Sequence, residues 1–75
     1  MTLAEQAVRR IALALAIGAR PQRWIVTREA EDALLADALP DAWSADHALL
    51  HGLPVERGRP RSEWGLDLVL APSAA

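Results

Sequence analysis

Seventy-five residues leave room for one domain and no more. The absence of cysteine rules out a disulfide framework and a thiolate metal site. A formal net charge of −2, with arginine supplying all eight basic side chains, has the wrong sign for a general nucleic-acid binder, which carries a basic face.

Thr2-Leu3-Ala4-Glu5 has the residue types of a capping box, which starts a helix at Leu3. The helix is expected to reach about Ile17, with Gly18 as its left-handed stop. Ala4, Val8, Ile11 and Leu15 form one stripe at helical spacing. The second half, IALALAI, is apolar all round and needs cover on more than one side. The stretch RRIALALAIGA has the composition of a secretory leader, but Glu5 and the capping box favour a structural helix, and the run is too short to span a membrane.

Beyond Pro21, RWIVT (Arg23 to Thr27) has the β-branched and aromatic content of a strand. Thr27 can cap a second helix, with Glu29, Glu31 and Asp32 near its positive end. Ala30, Leu34 and Ala38, with Leu35 and Leu39 one position round, give that helix an apolar face before Pro40 ends it. A polar connector, PDAWSADH, leads into Ala48–Glu56, read as one strand interrupted by Gly52 and Pro54. Glu63–Leu70 alternates, with Trp64, Leu66, Leu68 and Leu70 on one face. The six residues from Arg57 to Ser62 then form the tip of a C-terminal hairpin. The order α-β-α-β-β predicts an α+β fold, with a small sheet of about three strands and both helices on one face. Residues 1–70 are read as one domain and 71–75 as a flexible tail.

The charges are segregated. Five arginines and no acid lie between Arg9 and Arg28, whereas Glu29, Glu31, Asp32, Asp37, Asp41 and Asp46 follow without an intervening base. Such a run is either the solvated face of a helix or a field that steers a basic partner. Trp43 sits within it, as an exposed anchor or as a loop residue closing the core. Arg57, Arg59 and Arg61 are read as a specificity contact to protein, or as a solvated tip. Phosphate contact by the three ranks lower, because interleaved aromatics are lacking and the rest of the surface is acidic.

His47 and His51, four apart, have the spacing of two ligands on a helix, but Gly52 and Pro54 favour an extended chain and no third ligand is suitably spaced. Ser44, Asp46 and His47 supply triad residue types almost adjacent in sequence, whereas a triad is a spatial arrangement. No catalytic, cofactor-binding or metal-binding residue is expected, and the chain is read as non-enzymatic.

WIVTREAEDALLADAL followed by LLHGLPVERGRPRSEWGLDLVL, residues 24 to 70, resembles small accessory proteins of phages and prophages. In those, a W-x-V-[ST] strand runs into a short acidic helix, and an L-x-G-x-P-V strand and a final strand close the chain. The departure is in the loop, where many relatives carry acidic and proline residues and this chain has Arg57, Arg59 and Arg61. Among phage products of this kind, the chain is similar in size and acidity to anti-CRISPR proteins. That class implies a non-enzymatic inhibitor of a host protein or nucleoprotein complex with a basic surface, acting in the bacterial cytoplasm as a monomer or homodimer, without a membrane. It has no common motif, so it assigns no residue. The alternatives are a self-assembling or structural phage component and a nucleic-acid-binding regulator using the arginine hairpin.

Overall fold

The computed structural model describes residues 2–37 and 40–71. The elements run α1 (Leu3–Ala16), β1 (Arg20–Val26), α2 (Arg28–Asp37), a 3-10 turn (Pro40–Ala42), β2 (Leu49–Leu50), β3 (Leu53–Arg57) and β4 (Leu66–Ala71). The Thr2 hydroxyl accepts from the Glu5 amide at 3.2 Å, which caps α1. At the other end Gly18 N–H donates to Leu15 O and Ala19 N–H to Ala14 O, the paired bonds of a Schellman stop. Thr27 caps α2, its hydroxyl accepting from Ala30 N–H at 3.1 Å.

The fold is α+β, with a four-stranded mixed sheet in the order β2-β3-β1-β4 where about three strands were expected. The extra strand comes from His51 and Gly52. Both have positive φ, 52° and 79°, the geometry of a two-residue hairpin turn, so Ala48–Glu56 folds back as β2 and β3 rather than running on.

The expected C-terminal hairpin is absent. β1 lies between β3 and β4, parallel to the first (Trp24 opposite Val55) and antiparallel to the second (Trp24 opposite Leu68). In the middle of the sheet β1 is covered on both edges, and its inward Trp24 and Val26 have no exposed surface. Pro21 is tolerated because it sits at the β-bulge between Pro21 and Arg23, outside the β1–β3 pairing.

Trp24 and Val26 point to the inner face, where α1 and α2 lie. With Ala7, Ala30, Leu34, Trp43, Leu50 and Leu66 they form the core. Arg23, Ile25, Glu56, Asp67 and Val69 share the outer face by register. The apolar face of α1 is not the expected stripe: Ala7 and Ala14 are buried, whereas Val8 and Leu15 are exposed. Ile11 of the expected stripe does pack against the core, as does Leu3, so the buried face is turned toward Ala7 and Ala14 and away from Val8 and Leu15. On α2, Ala30 and Leu34 are buried as expected, but Leu35 is exposed. Ala38 and Leu39 lie outside the described residues. Ala71, assigned by sequence to the tail, is the last residue of β4, and 72–75 lie outside the described residues.

Trp24 has no exposed surface, and its Nε1–H donates to the Leu50 carbonyl at 2.9 Å. Trp24→Phe removes that hydrogen bond and leaves space where the larger indole packed. We expect a loss of about 1–3 kcal/mol, or roughly 4–8 °C in Tm for each kcal/mol. Trp64→Phe, on the surface, should stay within about 0.5 kcal/mol. Thermal melts followed by circular dichroism compare the two.

Candidate functional site

The acidic stretch begins where α2 does. Glu29 and Glu31 stand in its first turn, where the helix dipole favours a carboxylate. Glu29, Asp32 and Asp37 are exposed, as is Asp41 in the 3-10 turn, and none makes an ion pair or hydrogen bond among the described residues. Glu31 differs: its Oε1 accepts from Arg57 Nη2 at 2.7 Å, tying α2 to the end of β3.

That bond separates Arg57 from Arg59 and Arg61. The segment 58–65 is not a hairpin tip but a crossing loop, carried over the end of β1 from β3 to β4. It is fastened at both ends, by Gly58 N–H to Val26 O and Thr27 N–H to Gly65 O, each 3.0 Å. Between them the Ser62 hydroxyl accepts from Arg10 Nη2 at 2.9 Å and from Trp64 N–H at 3.1 Å. Gly65 has φ of 73°, and a Cβ there would stand 2.8 Å from Thr27 Oγ1. The hydroxyl that caps α2 therefore also fixes where the loop rejoins the sheet.

On this fastened loop Arg59 and Arg61 are exposed and unpartnered among the described residues. Trp64, expected on the apolar face of a strand, is 42 % exposed instead. The turn closed by Gly65 N–H to Ser62 O at 3.1 Å ends before β4 begins at Leu66 and leaves the indole on the loop. The loop thus presents two guanidinium groups and an aromatic ring, the residue types most enriched at binding hot spots. The sequence carried one signal for this, a glycine directly after Trp64 in a polar neighbourhood.

Trp43 is corrected in the opposite sense. It is 9 % exposed, its Nε1–H donates to Leu34 O at 3.3 Å, and its backbone bridges Leu50. It closes the core from the connector and is no exposed anchor. Its ring and that of His47 lie roughly perpendicular, with centroids 6.0 Å apart. His47 and His51 both have positive φ and sit in separate turns, not on one helix face. Among the described residues no group of three His, Asp or Glu side chains is placed to hold a metal ion.

Asp46 organises the connector. Its Oδ1 accepts from Ser44 Oγ–H at 2.7 Å and from Ala48 N–H at 3.1 Å. These bonds hold its carboxyl below the usual range, the Ser44 hydroxyl first.

Comparison with protein-family models, with curated proteins and with solved structures found no match. Among the described residues no helix is long and apolar enough to cross a membrane.

A carboxyl with a lowered folded pKa favours the folded state above its unfolded value, about 3.9, and loses that contribution as pH falls through the folded value. Asp46→Asn should therefore make Tm fall less steeply than wild type below about pH 4. Tm measured from pH 2 to 7 tests this; parallel acid limbs would show that Asp46 takes no part.

Proposed function

We propose that the chain is a non-catalytic binding module that inhibits a host nucleoprotein complex by occupying a basic groove built for nucleic acid. This is the role implied by the resemblance to phage and prophage accessory proteins, anti-CRISPR proteins among them, and it is exercised in the cytoplasm of the bacterial host. The observation that carries it is the row of free carboxylates, Glu29, Asp32, Asp37 and Asp41, exposed along α2 and the turn after it. Carboxylates held on a helix and an adjoining turn make a fixed negative field, which steers association with a positive groove and favours correct partners over wrong ones. Glu31 is spent on Arg57, and Asp46 on its own turn, so neither belongs to this row. Arg59, Arg61 and Trp64 supply a second, chemically different contact that fixes orientation.

Reversing Glu29, Asp32, Asp37 and Asp41 together to arginine leaves the core untouched, because all four are exposed. Wild-type protein immobilised and exposed to host lysate is expected to retain a basic nucleoprotein complex, identified by mass spectrometry, and the reversed variant to lose it. Equal retention by both would refute the acidic contact.

One observation favours a second reading, a nucleic-acid-binding regulator. Trp64 is an exposed ring beside two unpartnered arginines, the aromatic element whose absence had weighed against phosphate contact. With Arg57 bonded to Glu31, two phosphate contacts remain, giving a log-log salt slope of about −1.8 on duplex DNA or −1.4 on a single strand. Gel shifts at several salt concentrations decide it: no shift at low salt removes this reading.

A further inference from the structure

The two edges of the sheet differ. On the β2 side the connector covers the edge: Ser44 N–H donates to Leu49 O at 2.9 Å, and His51 N–H to Ala42 O at 2.7 Å. On the other side β4 ends the sheet, with a six-residue edge that contains no proline and no basic residue. Such an open edge is a template for another strand, and proteins that leave one unpaired normally protect it.

The surfaces beside this edge are also unfinished. On the inner face a groove of about 280 Å³ lies between α1 and β4, lined by Arg10, Leu13, Ala14, Ile17, Leu68 and Leu70 among others. Leu13 is 56 % exposed and Ile17 77 %. On the outer face Arg20 is exposed and has no partner among the described residues. It lies opposite Ala71, whose methyl group leaves the row open toward the edge.

We infer that β4 pairs antiparallel with β4 of a second copy of this chain, about a two-fold axis normal to the sheet at Val69. Val69 then faces its mate, Leu68 faces Leu70, and Asp67 faces Ala71, so inner residues meet inner and outer meet outer. Unpaired charge favours this register: an axis at Leu68 would instead set Asp67 across Val69 from Arg23, which already holds Glu56 at 2.9 Å. Strands lie about 4.8 Å apart, which puts Asp67 of the second copy about 10 Å from Arg20, Cα to Cα, across the Ala71 methyl. That is within reach of an extended arginine, and symmetry makes the pair twice. Moving the axis to Leu68 or Leu70 sets Gly65 or Val69 opposite Ala71, and Arg20 finds no acid. Arg10 reaches Asp67 from α1 at 3.7 Å, a long contact at the start of the β4 edge that has to shift when a second strand pairs there. The helices fit as well. α1 packs on β1 and β4, so pairing β4 brings the two copies of α1 onto one face beside the axis, where Leu13 and Ile17 line the open groove. The dimer is a continuous eight-stranded sheet with the exposed end of α1 covered.

The chain has no cysteine, so a single introduced one reports the register. Opposed residues in antiparallel strands have Cα atoms about 4.5–5.5 Å apart, inside the range of about 4.4–6.8 Å that a disulfide spans. Val69→Cys is expected to give a disulfide-linked dimer on mild oxidation, and Glu29→Cys to give no cross-link. Sedimentation of the wild type from low to high micromolar concentration should show a dimer. Arg20→Asp, at an exposed site, should weaken it on the order of tenfold from two lost pairs, and Arg20→Asp with Asp67→Arg should restore it. A monomer throughout, a dimer in which Val69→Cys does not cross-link, or one that ignores Arg20→Asp would each overturn the inference.

Discussion

The indole of Trp24 lies wholly buried on the central strand and donates to Leu50 O, a bond that joins the middle of the sheet to its shortest strand. Two residues of β2 could not hold a place in the sheet by ladder bonds alone, and this donor fixes where they sit. Trp43 repeats the device, its indole donating to Leu34 O and so closing the connector against α2. The chain has no phenylalanine and no tyrosine, and no polar side chain is buried among the described residues. The two tryptophans are therefore the largest side chains of the core, and their indoles supply its side-chain hydrogen bonds. A buried indole without an acceptor is destabilising, so these bonds specify one arrangement of the connector rather than many.

Around that core, a few side chains each serve two elements. Thr27 caps α2 and stands against Gly65, so the start of the helix and the return of the crossing loop are fixed together. Arg10 reaches from α1 to Ser62 in the loop and to Asp67 on β4. Arg57 joins β3 to α2 through Glu31. The result is two chemically opposite surfaces on fastened backbone: a row of free carboxylates on α2 and the turn after it, and a loop with two guanidinium groups and an indole. Rigid presentation matters here, since ordering a flexible contact on binding subtracts from affinity.

The features legible in the sequence were those whose physics is local. Thr2 and Thr27 cap helices because the hydroxyl and the amide it accepts are three residues apart. Gly18 stops α1 because the Schellman bonds span only a few residues. The strand content of Arg23–Thr27 and the acidity of α2 were equally plain. The His51–Gly52 turn was local too, but it was read as an interruption because proline two residues later suggested an edge. Less legible were Trp43 and Trp64: a polar neighbourhood left the first open between an exposed anchor and a core-closing residue, and alternation suggested burial for the second. Neither cue reports which ring finds a carbonyl acceptor within reach. For Trp43 that acceptor is nine residues back, on α2.

From the sequence alone followed the limits of α1 and the start of α2, the α+β class, the acidic surface and the arginine-rich segment, because each depends on hydrogen bonds and charges within a turn or two of chain. The tertiary structure alone decided that β1 enters between β3 and β4, that α1 turns Ala7 and Ile11 rather than Val8 and Leu15 to the core, and that Arg57 is bonded while Arg59 and Arg61 are free among the described residues. Those outcomes are competitions between segments tens of residues apart, settled by which surfaces pack most closely, and a one-dimensional pattern does not contain the distances that decide them.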